Sequence, residues 1–200
     1  RLANIIQDAG LSHIIVDGST ESNSLPNNIT KLHLDNDSAE IAKFSCDNIV
    51  LLEENAALFN LIYTSGSSGK PKGVVVSHKA MINRLLWMQE EFSITASDRI
   101  LHKTPYSFDV SVWEIFWPLM HGAQLVIAPM QEHRNPLYLT KAIAQYKITH
   151  MHFVPSMLGV FLQHATSENC LSLSHIFCSG ETLTPNLAHN CLTQLPHCAL

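Results

Sequence analysis

From residue 100 to residue 195, short β-branched or apolar runs alternate with longer segments patterned as helices. Residues 100–103, 124–128, 149–153 and 176–179 read as strands; residues 109–120, 136–146, 155–164 and 185–195 read as helices. This alternation predicts layered α/β architecture with a largely parallel sheet, because consecutive parallel strands need a long crossover that a helix supplies. Earlier in the chain, residues 14–17 and 31–34 read as strands, 18–28 as a polar loop and 35–48 as irregular. Ser77 reads as the cap of a helix reaching Phe92, with Met81, Leu85, Met88 and Phe92 along one face.

Between two further strand-like runs, 58–63 and 74–76, lies a loop crowded with glycines, hydroxyls and lysines: Thr64, Ser65, Gly66, Ser67, Ser68, Gly69, Lys70, Pro71, Lys72 and Gly73. Glycine lets backbone approach a ligand, successive amides form an anion-binding concavity, and the lysines add positive charge. A flexible Ser/Gly linker has the same composition, but a linker rarely sits between two such strands. The spacing is not that of a P-loop, which needs Gly, four residues, then Gly-Lys-Ser/Thr. Counting five on from Gly66 reaches Pro71, and from Gly69 reaches Val74.

Composition narrows the classes. The chain has 200 residues, 46% apolar and 14% charged, enough for a substantial core, and its apolar runs are too short to span a membrane. A net charge of −5 argues against a nucleic-acid-binding surface. Cys46, Cys170, Cys178, Cys191 and Cys198 are an odd, scattered set, which points to free thiols in a reducing, cytoplasmic compartment. The histidines show no zinc-ligand spacing.

The run from Tyr63 to Gly73 resembles the phosphate loop of adenylate-forming enzymes, with Ser68 where relatives carry Thr. Lys103-Thr104-Pro105-Tyr106-Ser107-Phe108-Asp109-Val110-Ser111-Val112-Trp113-Glu114 is similar to the motif of the nonribosomal peptide synthetase branch. Gly122-Ala123, His152 to Leu158, and Cys178-Ser179-Gly180-Glu181 match in the same order. The resemblance covers nearly the whole chain and implies an internal fragment, residues 1–200, of the large N-terminal domain of one adenylation domain. Residues 1–55 would be a partial N-terminal α/β part and 56–200 the core carrying the phosphate loop and amino-acid pocket. The small C-terminal domain would be absent, and the isolated fragment inactive.

The implied activity is attack of an amino-acid carboxylate on ATP, giving an aminoacyl adenylate and pyrophosphate, followed by loading onto the phosphopantetheine thiol of a carrier domain. The implied partners are peptidyl carrier and condensation domains. By this resemblance Thr64, Ser65, Gly66, Ser67, Ser68, Gly69, Lys70, Lys72 and Gly73 hold ATP phosphates, Thr64 and Lys72 serve catalysis, and Thr64 contributes to a Mg²⁺ site. Gly180 and Glu181 flank the adenine. Asp109 pairs with the substrate ammonium; on spacing alone it reads first as a helix N-cap, and the two roles can hold together. Asp109, Val110, Trp113, His152, Phe177 and Ser179 form a pocket pattern similar to that of serine-activating domains. An acyl- or aryl-CoA ligase, or a non-catalytic nucleotide-binding or interaction domain, is the alternative.

Overall fold

The computed structural model describes residues 2–18, 25–26, 28–48, 57–65 and 71–200. The chain divides into two compact units, Arg1–His78 and Lys79–Leu200. The sequence-based boundary near residue 55 lies outside the described residues.

The first unit contains α1 (Leu2–Asp8), a parallel pair β1 (His13–Val16) and β2 (Thr30–His33), a short α2 (Ser38–Ile41), and β3 (Leu58–Thr64) with β4 (Lys72–Ser77). Ile6, Val16, Leu25 and Ile29 form its small buried cluster. β3 and β4 pair antiparallel, with Tyr63 opposite Gly73 and Thr64 opposite Lys72. The loop after Thr64 is therefore the turn of a hairpin, not the end of a strand in a parallel sheet. A Cβ on Gly73 would lie 3.2 Å from Tyr63 Cζ and 2.8 Å from Leu61 Cδ1, so glycine makes room for the ring lying across it.

The second unit is the expected α/β layer. After α3 (His78–Phe92), whose residues from Lys79 belong to this unit, come β5 (Arg99–His102), α4 (Val110–Met120), β6 (Gln124–Ile127), α5 (Pro136–Tyr146), β7 (His150–Phe153), α6 (Pro155–Leu162), β8 (His175–Cys178) and α7 (Pro185–Gln194). The strands form one parallel sheet in the order β6-β5-β7-β8. Alternation along each strand sorts side chains onto two faces. Leu101, Met151, Phe153 and Ile176 pack with Leu139, Ile143, Leu158, Phe161 and Leu195 of the α5–α7 region. On the opposite face, Ile100 packs with Trp113 and Trp117 of α4 and Leu85 and Met88 of α3.

Local chemistry accounts for the helix ends. Asn135 caps α5 by accepting from Leu137 N and Tyr138 N, Pro136 opens it, and Lys147 closes it in the left-handed conformation. Thr184 and Pro185 open α7 in the same way.

Chain order dictates where a ligand fits this sheet. β5 connects to β6 on one side, whereas β7 connects to β8 on the other. The connections part company at β5/β7, and the crevice at the carboxyl ends of such strands is where open α/β sheets bind ligands. No helix among the described residues is long and apolar enough to cross a membrane.

Candidate functional site

The carboxyl end of β7 delivers His152, and β8 delivers Phe177 opposite it in register. Ser179 follows one residue beyond the end of β8, on the same face as Phe177. His152 Nε2 lies 2.8 Å from Ser179 Oγ. Trp113 of α4 meets both strands edge to face, 5.2 Å from the Phe177 ring and 6.2 Å from His152. Aromatic edges thus wall a small space against a polar His–Ser pair. Trp113, His152, Phe177 and Ser179 come together as the sequence led one to expect. Val110, half-buried, packs against the same aromatic cluster.

Asp109 stands at the entrance to α4, exposed, and its Oδ1 accepts from Val110 N at 3.0 Å. Its negative charge reaches His152. Burial pushes the His152 imidazole down to about 4, Lys103 adding to the shift while Glu114 and Asp109 oppose it. The ring is therefore neutral at physiological pH, with one nitrogen to donate and one to accept. His150, on the same face one step deeper, is also held near 4, by burial and by His175, which stacks on it at 4.7 Å.

Acid sensitivity follows from these two rings. Above the ordinary value of 6.5 neither the folded nor the unfolded chain protonates them, and their contribution to stability is fully present. As pH falls from 6.5 toward 4, the unfolded chain takes up protons that the folded chain refuses, and stability is lost. The urea midpoint is expected to fall across that window, and His150→Gln with His152→Gln to flatten the slope. An unchanged slope in the double variant would contradict the assignment.

Beneath the loop joining β5 to α4 lies a carboxylate to which the sequence reading gave no role. Glu114 is fully buried. Its Oε2 lies 2.9 Å from His102 Nδ1 and accepts from Lys103 N at 3.1 Å and Thr104 N at 2.9 Å, while Oε1 accepts from Thr104 Oγ1 at 2.7 Å. A carboxylate among the inward-facing Val112, Trp113 and Trp117 of α4 was the available signal. Lys103 is half-buried, its ammonium 5.0 Å from the centre of the Phe153 ring. Burial lowers its pKa and Glu114 pulls it back.

Gly180 takes φ +85°, a conformation that L side chains rarely adopt, and a Cβ there would press on Val154 Cγ1 at 3.2 Å. Glu181 accepts from Ser156 N at 2.8 Å and Ser156 Oγ at 3.0 Å, so its carboxylate tethers the first turn of α6.

In the first unit, Thr64, Ser65, Lys72 and Gly73 stand exposed at the mouth of the hairpin, and Thr64 Oγ1 approaches Lys72 O at 3.5 Å. Gly66, Ser67, Ser68, Gly69 and Lys70 lie outside the described residues. A cavity of about 400 Å³ lies beside the hairpin, lined by Asn4, Ile5, Gln7, Asp8, Tyr63 and Pro71. Tyr63 Oη donates to Asp8 Oδ2 at 2.5 Å across it. Exposed hydroxyls and a lysine suit a polyphosphate. Thr64 offers one hydroxyl oxygen there, and no cluster of three or more metal-ligating side chains occurs among the described residues; Mg²⁺ beside a polyphosphate draws most of its oxygens from phosphate and water. All five cysteines are free thiols. Burial pushes Cys170 and Cys178 up to about 11 and Cys198 to about 12, which leaves them poor nucleophiles.

Comparison with known proteins agrees with this architecture. The family model of the AMP-binding enzyme matches residues 1–200. Vanchrobactin synthetase VabF of Vibrio anguillarum is 52% identical over 145 residues, covering 70% of this chain and 5% of that protein. Enterobactin synthase component F of Escherichia coli O157:H7 is 50% identical over 131 residues, 64% of this chain and 10% of that protein. The chain thus spans a small part of the length of the curated relatives it matches. Among solved structures, the nonribosomal peptide synthetase FmoA3 superposes with a TM-score of 0.88 at 25% identity, over 99% of this chain and 21% of that one, and is also known in forms bound to AMPPNP and to alpha-methyl-L-serine-AMP. O-succinylbenzoate Coenzyme A synthetase of Bacillus subtilis shares the fold, with a TM-score of 0.81 at 21% identity over 99% of this chain and 40% of that one. The chain belongs to the AMP-binding enzyme family.

Proposed function

We propose that this chain is part of an amino-acid-adenylating domain in a nonribosomal peptide synthetase, and that its amino acid is L-serine. The observation that carries the reading is the site on the α4 face of the sheet: a carboxylate at the helix entrance, an aromatic wall, and a neutral His–Ser pair 2.8 Å apart. In the reaction, a carboxylate oxygen of the amino acid bonds to the α-phosphorus of ATP as the bond to pyrophosphate breaks. The substrate ammonium pairs with Asp109, a charge-assisted contact that a fatty-acid ligase would have no use for. Trp113, Phe177 and Val110 limit the side-chain space. His152 and Ser179 bond the substrate hydroxyl. The hairpin residues Thr64, Ser65, Lys72 and Gly73, with Gly66 to Lys70, hold the departing pyrophosphate by hydroxyls, amides and positive charge, and Thr64 and Lys72 offset charge as it develops. Gly180 gives the adenine close backbone approach. The adenylate then passes to a phosphopantetheine thiol on a carrier domain. FmoA3, with its alpha-methyl-L-serine-AMP form, is a structural neighbour whose ligand has the same chemistry.

The test is discrimination between serine and alanine in ATP–pyrophosphate exchange by the full-length protein. A site built to bond a hydroxyl rejects an analogue lacking it by a factor of about 10⁴. Ser179→Ala is expected to lower the preference for serine at least about tenfold, by removing one hydrogen-bond partner. Equal discrimination in the variant, or a preference for another amino acid in the unsubstituted protein, would overturn the serine assignment.

A further inference from the structure

We infer that Glu114, acting with Thr104, is a positioning residue that fixes the loop carrying Asp109 and so sets the affinity for the amino acid; this rests on the adenylation reading above. In the loop between β5 and α4, Pro105, Tyr106, Ser107, Phe108 and Asp109 are all exposed. Its middle is closed by a turn, Phe108 N donating to Pro105 O at 3.0 Å, and side-chain bonds fasten its two ends. At the α4 end, Ser111 Oγ donates to Phe108 O at 2.7 Å. At the β5 end, the Glu114 carboxylate binds Lys103 N, Thr104 N and Thr104 Oγ1 together with the His102 ring. The His102 ring in turn lies 5.2 Å from Tyr106, extending the grip into the exposed part of the loop.

The alternative role is a buried hydrogen-bonded pair with His102 that merely stabilises the core. The wiring differs from that of a simple pair. Both carboxylate oxygens are spent on the first residues of the loop, and Oε2 serves two consecutive backbone amides. That arrangement fixes backbone direction at Lys103 and Thr104, from which the chain runs to Asp109. Glu114 reaches the loop from within the same helix that Asp109 opens, so helix and loop form one closed unit.

Two substitutions test this without emptying the core. Glu114→Gln keeps the shape but replaces one acceptor oxygen with a donor. Thr104→Val removes the hydroxyl bond to Oε1 and keeps the backbone bond, and Thr104→Ser returns the hydroxyl. In ATP–pyrophosphate exchange by the full-length protein, Glu114→Gln and Thr104→Val are expected to raise the KM for the amino acid about tenfold, the scale of one hydrogen bond to a charged group. The KM for ATP should stay at the unsubstituted value while the Tm falls modestly in both variants, as expected for a buried group left one bond short, and Thr104→Ser should restore the amino-acid KM. A fall in kcat with both KM values unchanged and a lower Tm would mean a structural role only, and would overturn the inference. Unchanged amino-acid KM in both variants would overturn it while leaving the adenylation reading intact. Absence of exchange with any amino acid in the unsubstituted protein would instead overturn the adenylation reading, and this inference with it.

Discussion

Asp109→Asn is expected to cut kcat/KM for the amino acid about tenfold, the scale of one hydrogen bond to a charged group. Asp109→Ala should do the same and also cost about 1 kcal/mol of stability through the lost cap. The two substitutions separate the two roles that the position supports. Asparagine still accepts from Val110 N, as Asp109 Oδ1 does at 3.0 Å, so the start of α4 survives. It no longer carries the charge that a substrate ammonium needs. A pure N-cap would show the reverse pattern: wild-type kinetics for asparagine and a modest loss of stability for alanine. Steady-state exchange kinetics and thermal unfolding on the same preparations decide between them.

Trp117→Ala is expected to destabilise the second unit by about 3–5 kcal/mol, the usual cost of removing a buried tryptophan. Trp117 is fully buried and lies at the middle of the α4-face cluster. Its ring meets Trp113 at 6.0 Å, Phe177 at 6.1 Å, His150 at 5.7 Å and Phe92 at 6.3 Å. Its Nε1 donates to Gln89 Oε1 at 2.9 Å, tying α4 to α3. Two of those rings, Trp113 and Phe177, wall the candidate pocket, so a cavity here loosens the site as well as the core. Trp117→Phe retains most of the ring and loses the hydrogen bond, and should cost about 1–3 kcal/mol, mostly for the stranded Gln89. Urea unfolding reports both. An unchanged midpoint for Trp117→Ala would contradict this packing.

The second unit was legible in the sequence because its signals are local. Pro136 after Asn135, Pro155 after Val154 and Pro185 after Thr184 mark helix starts, and the buried strands between them are short apolar runs. The boundaries of α5 matched to the residue. Parallel pairing followed from the helices between strands. The first unit was less legible. α1 carries no acidic first turn or basic last turn to announce it, and α2 is a single turn within a polar stretch read as irregular. The glycine-rich loop was placed between two strand-like runs without an orientation for the pair. Its length was the available signal, since a connection from Thr64 to Lys72 is shorter than the roughly dozen residues a parallel crossover needs. The proposed pocket residues Trp113, His152, Phe177 and Ser179 were singled out by resemblance to a family motif, and strand alternation explains why His152, Phe177 and Ser179 share a face. Glu114 escaped because two of its partners, the Lys103 and Thr104 amides, leave no mark on sequence; its place on the buried face of α4 was the signal left unused.

Amino-acid-dependent ATP–pyrophosphate exchange by the full-length protein, screened over all twenty amino acids, tests the central claim most directly. The account predicts exchange that depends on an added amino acid, greatest with serine. Well-folded protein that exchanges with none of them would contradict it.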